Sequence, residues 1–243
     1  VNREGGTPEL LLDCGADWCV NPAFSPDGLK LAYARRQSGG VQGSSPGVPR
    51  IWTLDLAGLQ TDRLYADPNI GGSDPAWSPD GRYLAFYDGI NNGLRLANLE
   101  THQDILLPSE MGMTARWSPD GLSLYFTNIV SLEAFAYENV YRYSIPTQQT
   151  TPAFGLDAQP MDYSPVAFSV DGQWLVVGIR EITGSPARQM WLMRPDGSER
   201  SPITQDPLVN ASAFHWSPAG EQVVFQSLAL GSSDAVPQVM LWD

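Results

Sequence analysis

Three aspartates in this chain, Asp17, Asp74 and Asp162, each lie a few residues ahead of a recurring aromatic-Ser phrase. If they converge, such carboxylates could act as acid and base on a glycosidic bond, bind a cation, or hold a cationic peptide. Trp18 and Tyr163 adjoin two of them. A second group is defined by comparison within the chain. The residue just before the aromatic of the phrase is Ala23, Ala76 or Ala167 in three copies, but Arg116 and His215 in the other two. A bulky polar side chain on a crowded inner strand must find partners or face a channel. Together Asp17, Trp18, Asp74, Arg116, Asp162, Tyr163 and His215 are the ligand-binding candidates at a channel mouth. The plainer alternative is that the aspartates cap turns and solvate a rim, and that Arg116 and His215 make structural hydrogen bonds. No residue is assigned a catalytic or metal-ligating role, and no cofactor is expected, although a channel-bound cation stays open.

Two other patterns invite chemistry. Gly43-Ser44-Ser45-Pro46-Gly47 matches a hydrolase nucleophile elbow, but that device needs a strand, a strained turn and a helix, with an acid and a His placed by an α/β sheet. Here it sits in a Gly/Ser-rich connection, and the chain holds only His102 and His215. The match is read as chance. Cys14 and Cys19 are the only cysteines. They lack the Cys-x-x-Cys spacing, a second pair and a nearby His, which argues against zinc. A small structural disulfide is expected, with two buried free thiols as the alternative.

The elements that must position these groups come from the phrase itself. Phe24-Ser25-Pro26-Asp27-Gly28, Trp77-Ser78-Pro79-Asp80-Gly81 and Trp117-Ser118-Pro119-Asp120-Gly121 are full copies. Phe168-Ser169-Val170-Asp171-Gly172 and Trp216-Ser217-Pro218-Ala219-Gly220 are altered ones. Intervals of 53, 40, 51 and 48 residues separate them, the period of a repeat architecture. The Ser-Pro-Asp-Gly segment is a hairpin turn: Pro pre-sets φ, Asp tolerates the bridge region, and Gly takes the left-handed position. Gly survives in all five copies, as it must if it meets the hardest geometric demand.

An alternating strand follows each turn, such as Arg82-Tyr83-Leu84-Ala85-Phe86-Tyr87, then a third such as Arg50-Ile51-Trp52-Thr53-Leu54-Asp55. A more polar fourth, such as Thr61-Asp62-Arg63-Leu64-Tyr65, completes the unit. Four antiparallel strands per repeat of this length describe a propeller blade, and no helical period is sustained anywhere. The sequence predicts an all-β, five-bladed β-propeller in one domain, residues 1–243. Its blades fall near 14–67, 68–110, 111–157, 158–206, and 207–243 plus 1–13. Leu10 to Asp13 is expected to pair with Val239 to Trp242 and close the ring, which removes an open edge. The alternative is a fragment of a six- to eight-bladed propeller. Long connections between second and third strands are expected in four blades, including an apolar one from Val130 to Asn139.

Twenty-seven acidic and 14 basic residues give a formal net charge of −13, with Lys30 the only lysine. Such a surface repels phosphate backbones, so nucleic acid and anionic membrane surfaces are not expected partners. No apolar run reaches transmembrane length, so no membrane insertion is expected. The chain opens on Val1 with no initiator Met or signal-peptide pattern, as a trimmed or excised piece would.

The phrase Trp-Ser-Pro-Asp-Gly, then strands such as Tyr83-Leu84-Ala85-Phe86 and Ile51-Trp52-Thr53-Leu54-Asp55, resembles the WD-repeat-like units of TolB-type β-propellers. Arg194-Pro195-Asp196-Gly197-Ser198 is similar to that family's turn between third and fourth strands. The likeness covers essentially the whole chain. It departs in number, since the family's namesake has six blades and a separate N-terminal domain, neither evident here. The resemblance implies an extracytoplasmic (periplasmic or secreted) module that binds a protein or peptide without catalysis of its own, expected as a monomer. Two rival readings use the same repeat. One is a five-bladed glycoside hydrolase or lectin-like binder of a small carbohydrate, using channel carboxylates. The other is the propeller domain of a larger peptidase or hydrolase.

Overall fold

The computed structural model describes residues 8–38, 46–110, 115–131, 136–154, 161–163, 166–181, 186–231 and 234–243. Among the described residues there are twenty strands and no helix. They form five antiparallel sheets in chain order. The first holds β1 (Trp18–Phe24), β2 (Lys30–Arg36), β3 (Arg50–Asp55) and β4 (Thr61–Arg63). The second holds β5 (Ser73–Trp77), β6 (Tyr83–Asp88), β7 (Gly93–Asn98) and β8 (Asp104–Pro108). The third holds β9 (Arg116–Trp117), β10 (Ser123–Ser131), β11 (Ala136–Ser144) and β12 (Gln149–Pro152). The fourth has β13 (Met161–Tyr163) and β14 (Ala167–Phe168) side by side on β15 (Leu175–Glu181), then β16 (Gln189–Met193) and β17 (Ser201–Pro202). The fifth has only β18 (Val209–Trp216), β19 (Val223–Ala229) and β20 (Gln238–Trp242).

Each sheet is organised by its turn. In all five copies the motif Gly amide donates to the motif Ser carbonyl at 2.9–3.0 Å, and the Gly φ lies between 69° and 75°. In four copies the Ser hydroxyl donates to the motif Asp at 2.5–2.6 Å and accepts an amide from the following strand, as Ser25 does with Asp27 and the Lys30 amide. In the fifth copy Ala219 offers no carboxylate, and Ser217 receives only the longer amide bonds of Glu221 and Gln222, at 3.3 and 3.2 Å.

The alternation of the second strand then decides which side chain meets which neighbour. Leu84 and Phe86 point back to the first sheet and pack with Ala32, Ala34 and Ile51. Ala85, on the other face, packs forward with Leu124 and Phe126 of the third sheet. Val177 and Leu175 repeat the backward contact onto Tyr125 and Val140. Val223 and Phe225 repeat it onto Val176 and Met190. Large apolar residues thus face the preceding sheet along the whole series. Each such side chain contributes on the order of 1.5–3 kcal/mol by burial.

The expected closure by Leu10 to Asp13 is not formed. Residues 8–14 carry no strand, and β20 pairs only with β19. Leu10 is 81 % exposed and Val239 85 %. The segment is held instead by a tight turn before β1. The Asp13 carboxylate accepts the Gly15 amide at 2.8 Å, the Asp17 amide donates to the Cys14 carbonyl at 3.0 Å, and Cys14 and Cys19 are joined as a disulfide. Phe24 is 66 % exposed, whereas its four counterparts Trp77, Trp117, Phe168 and Trp216 are half-buried against the sheet before them.

The connection from Val130 to Asn139 also departs from expectation. Pairing of β10 with β11 runs out to Ser131 opposite Ala136, so most of that stretch is a long hairpin. Its β-branched and aromatic residues suit strand better than loop. The Ser-containing part of Gly43–Gly47 lies outside the described residues.

Candidate binding site on the inner strands

The first strand of each sheet carries the site positions. Three of them, β1, β5 and β18, break register between Val20 and Ala23, Ser73 and Ala76, and Ser212 and His215. At each break one residue adopts left-handed φ: Asn21 at 54°, Asp74 at 52° and Ala213 at 53°. Each stands three residues before the motif aromatic. These are β-bulges, which re-aim side chains at strand ends.

Beyond the bulge comes a repeated link between sheets. The Trp77 indole N–H donates to the Ala23 carbonyl at 3.0 Å, Trp117 to Ala76 at 3.2 Å, and Trp216 to Ala167 at 2.9 Å. The acceptor is always the residue before the previous sheet's motif aromatic. The fourth copy has Phe168, which has no donor, so the Arg116 carbonyl receives no indole.

Arg116 on β9 and His215 on β18 are exposed and line one concavity of about 420 Å³, with Ala167 of β14 between them. Trp117, Phe168 and Trp216 form its walls, and no carboxylate lines it. Among the described residues the Arg116 guanidinium makes a single 3.5 Å contact, with the Ala115 carbonyl. The arrangement can receive an anionic group at Arg116 beside aromatic surface.

The three aspartates have different partners. Asp17 is bound by Arg35 at 2.8 Å. Asp74 accepts a hydrogen bond from the Asn21 amide group, across from the second sheet to the first. Asp162 is 2 % exposed. One of its oxygens takes the Glu138 amide at 3.0 Å, and the other takes Arg180 at 2.6 Å and Arg188 at 2.9 Å. Arg188 also reaches Glu138 at 3.3 Å. Burial, and then the nearby Asp162 charge, push the Glu138 carboxyl above its usual range. Tyr163 is 3 % exposed and belongs to the core with Phe154 and Val166, not to an open mouth. Trp18 is exposed, with the Arg36 guanidinium 4.7 Å over its ring.

Glu138, Arg180 and Arg188 carry no sequence signal, because they stand outside the repeated phrase: Arg180 meets Asp162 through strand pairing, Glu138 from the neighbouring sheet, and Arg188 from the segment before β16. Among the described residues no group of three His, Cys, Asp or Glu side chains could hold a metal ion.

With this geometry in hand, no family model matches the chain. The Tol-Pal system protein TolB of Alcanivorax borkumensis is similar, at 36 % identity over 66 residues, 27 % of this chain and 13 % of that protein. The crystal structure of TolB from Acinetobacter baumannii superposes with a TM-score of 0.60 at 20 % identity, covering 98 % of this chain and 55 % of that one. An oligogalacturonate lyase from Vibrio parahaemolyticus superposes with a TM-score of 0.65 at 19 % identity, over 93 % of this chain and 64 % of the other. The chain therefore spans just over half of the TolB structure, and only a small part of the TolB sequence it matches. The class is an all-β protein of propeller-like antiparallel sheets. Within that class the chain is related to the TolB-like β-propellers, on both the local sequence match and the superposition.

Proposed function

We propose that this chain is a non-catalytic, extracytoplasmic binding module that takes a protein or peptide partner through the concavity holding Arg116 and His215. The observation that carries this reading is the convergence of those two residues. Each breaks the repeat's own preference for Ala, and both line one open, aromatic-walled hollow. Propellers host many unrelated functions, so the site, not the fold, must support the role. In a chain of net charge −13, an arginine placed there favours an acidic segment of the partner. The Cys14–Cys19 disulfide and the TolB relationship support the extracytoplasmic assignment. Hydrolysis of a glycoside is disfavoured because Asp17, Asp74 and Asp162 are each engaged by a different partner, Arg35, Asn21 and the Arg180–Arg188 pair, so no two of them form a free acid and base.

The test compares immobilised wild-type protein with Arg116→Ala and His215→Ala against purified components of a Tol-Pal system and acidic peptides. Loss of binding by roughly tenfold or more in both variants, with unchanged circular dichroism, is the expected result; a tenfold loss corresponds to about 1.4 kcal/mol. Equal binding by all three proteins would remove the concavity from consideration.

A further inference from the structure

A second hollow, of about 450 Å³, opens on the first sheet, well within the range of small-molecule sites. Its chemistry is the reverse of the molecule's. The chain is strongly acidic, yet Arg35, Arg50 and Arg63 all line this hollow, and among the described residues the only carboxylate lining it is Asp17. Strand register explains the gathering. Arg35 of β2 stands directly opposite Arg50 of β3, and Trp52 of β3 opposite Arg63 of β4. All four therefore share one face of the sheet, the face turned away from the Ala32, Ala34 and Ile51 contact with the second sheet. Like charges set directly across a sheet are unfavourable unless something offsets them.

Asp17 offsets only one of the three. It is engaged by Arg35, whose guanidinium also lies 5.2 Å over the Trp52 ring. Arg50 donates to two carbonyls, Pro49 at 3.3 Å and Pro68 at 2.7 Å. Arg63 makes one long bond, 3.4 Å to the Asp67 carbonyl, and its Nε is buried with no hydrogen-bond partner. Among the described residues neither Arg50 nor Arg63 has a carboxylate within salt-bridge distance. Burial, and then the charge of Arg63, hold Arg50 below its ordinary value, although the more distant Asp88 and Asp67 carboxylates pull the other way. A buried donor without a partner is costly, and more so when charged.

We infer that the hollow bounded by Arg35, Arg50, Arg63 and Trp52 is a binding site for the oxyanion group, carboxylate or phosphate, of a small molecule. The guanidinium fork matches such groups in geometry as well as charge. Arg35 is fixed against Trp52 and Arg50 against the Pro68 carbonyl, so two of the three cations are already ordered before the ligand arrives. The site is separate from the Arg116–His215 concavity and does not depend on it.

Isothermal titration of the whole protein with inorganic phosphate, and separately with citrate, in a chloride buffer at pH 7 tests the inference. Binding of at least one anion is expected, with Arg63→Gln weakening it tenfold or more. Arg82→Gln, on the exposed turn of the second sheet, should leave it unchanged. Citrate alone would identify a carboxylate ligand and phosphate alone a phosphoryl ligand. In case Arg63→Gln fails to fold, phenylglyoxal modification of the wild-type protein supplies an independent measure. Bound anion should protect Arg35, Arg50 and Arg63 from the reagent but not Arg82. Failure of both anions to bind, binding indifferent to Arg63→Gln, or absence of protection would each overturn the site.

Discussion

Pro119 lies against Gly172: a Cβ on Gly172 would come 3.4 Å from Pro119 Cγ. The same contact recurs between consecutive turns. Pro26 meets Gly81 at 3.7 Å, Pro79 meets Gly121 at 3.5 Å, and Val170 meets Gly220 at 3.9 Å. A Cβ on Gly28, alone among the five, would meet nothing within 4 Å among the described residues. The turn motif is therefore a spacer between sheets as well as a hairpin.

That contact separates two effects of the same substitution. Gly28→Ala and Gly172→Ala both place a β-carbon at left-handed φ, 70° and 69°, which costs about 1–2 kcal/mol. Gly172→Ala also gains van der Waals contact with Pro119 at 3.4–3.6 Å, where Gly28→Ala meets nothing, so its unfolding midpoint in urea should fall less than that of Gly28→Ala. Gly81→Ala should cost more than Asp80→Ala, since Ala219 already stands at the Asp position of the fifth copy. Equal losses at Gly28 and Gly172 would show that the Pro contact adds nothing.

The indole links give a second expectation. Trp117→Phe keeps the ring between sheets but leaves the Ala76 carbonyl without its donor, and should cost about 1 kcal/mol. Phe168→Trp is the complementary change. It supplies a donor where the Arg116 carbonyl lacks one, and its stability should equal or exceed that of wild type if the ring fits. Chemical denaturation of the two variants measures both, and a Trp117→Phe protein as stable as wild type would dismiss the link.

Most of the fold was legible because the hairpin turn is a local code. Ser, Pro, Asp and Gly each satisfy a demand within five residues, so the repeat shows itself without tertiary knowledge. The shared concavity of Arg116 and His215 was signalled where the repeat breaks: the two stood out only because Ala23, Ala76 and Ala167 set a rule. Closure was not legible, since an apolar run such as Leu10-Leu11-Leu12 shows strand propensity but not the partner edge. Nor was the environment of Asp162, because Arg180 reaches it by strand pairing and Arg188 by a side-chain contact, across 18 and 26 residues of chain.

Acid should weaken the turns in a defined direction. The Ser25 hydroxyl, with the Leu29 amide, holds the Asp27 carboxyl below its ordinary range, and the Ser169 hydroxyl and Gln173 amide do the same for Asp171. A carboxyl with lowered folded-state pKa contributes stability that is complete above its unfolded value and is lost as pH falls through the folded value. Stability should therefore drop as pH falls below about 4, near the unfolded Asp value. Asp27→Asn combined with Asp171→Asn should make that acid limb shallower, as read from urea midpoints at pH 6 and pH 3. An acid limb of unchanged slope would mean that these aspartates are unlinked to folding.

Asp162 distinguishes a structural carboxylate from a working one. Its side chain is 3 % exposed and neutralises two arginines whose own side chains are 44 % and 21 % exposed. Removing it leaves the half-exposed Arg180 without its carboxylate and Arg188 with Glu138 alone, a loss of about 2–3 kcal/mol once solvent access to Arg180 is allowed for. Asp162→Ala also strips the Glu138 amide of its acceptor. Asp74, held by a single exposed bond from Asn21, should cost far less when changed to Ala, on the order of 0.5–1 kcal/mol. Asp162→Ala is thus expected to lower the melting temperature sharply and Asp74→Ala only slightly. If Asp162→Ala instead folds with wild-type stability, the carboxylate is not a structural hub, and its sequence position on a channel mouth regains its claim to ligand binding.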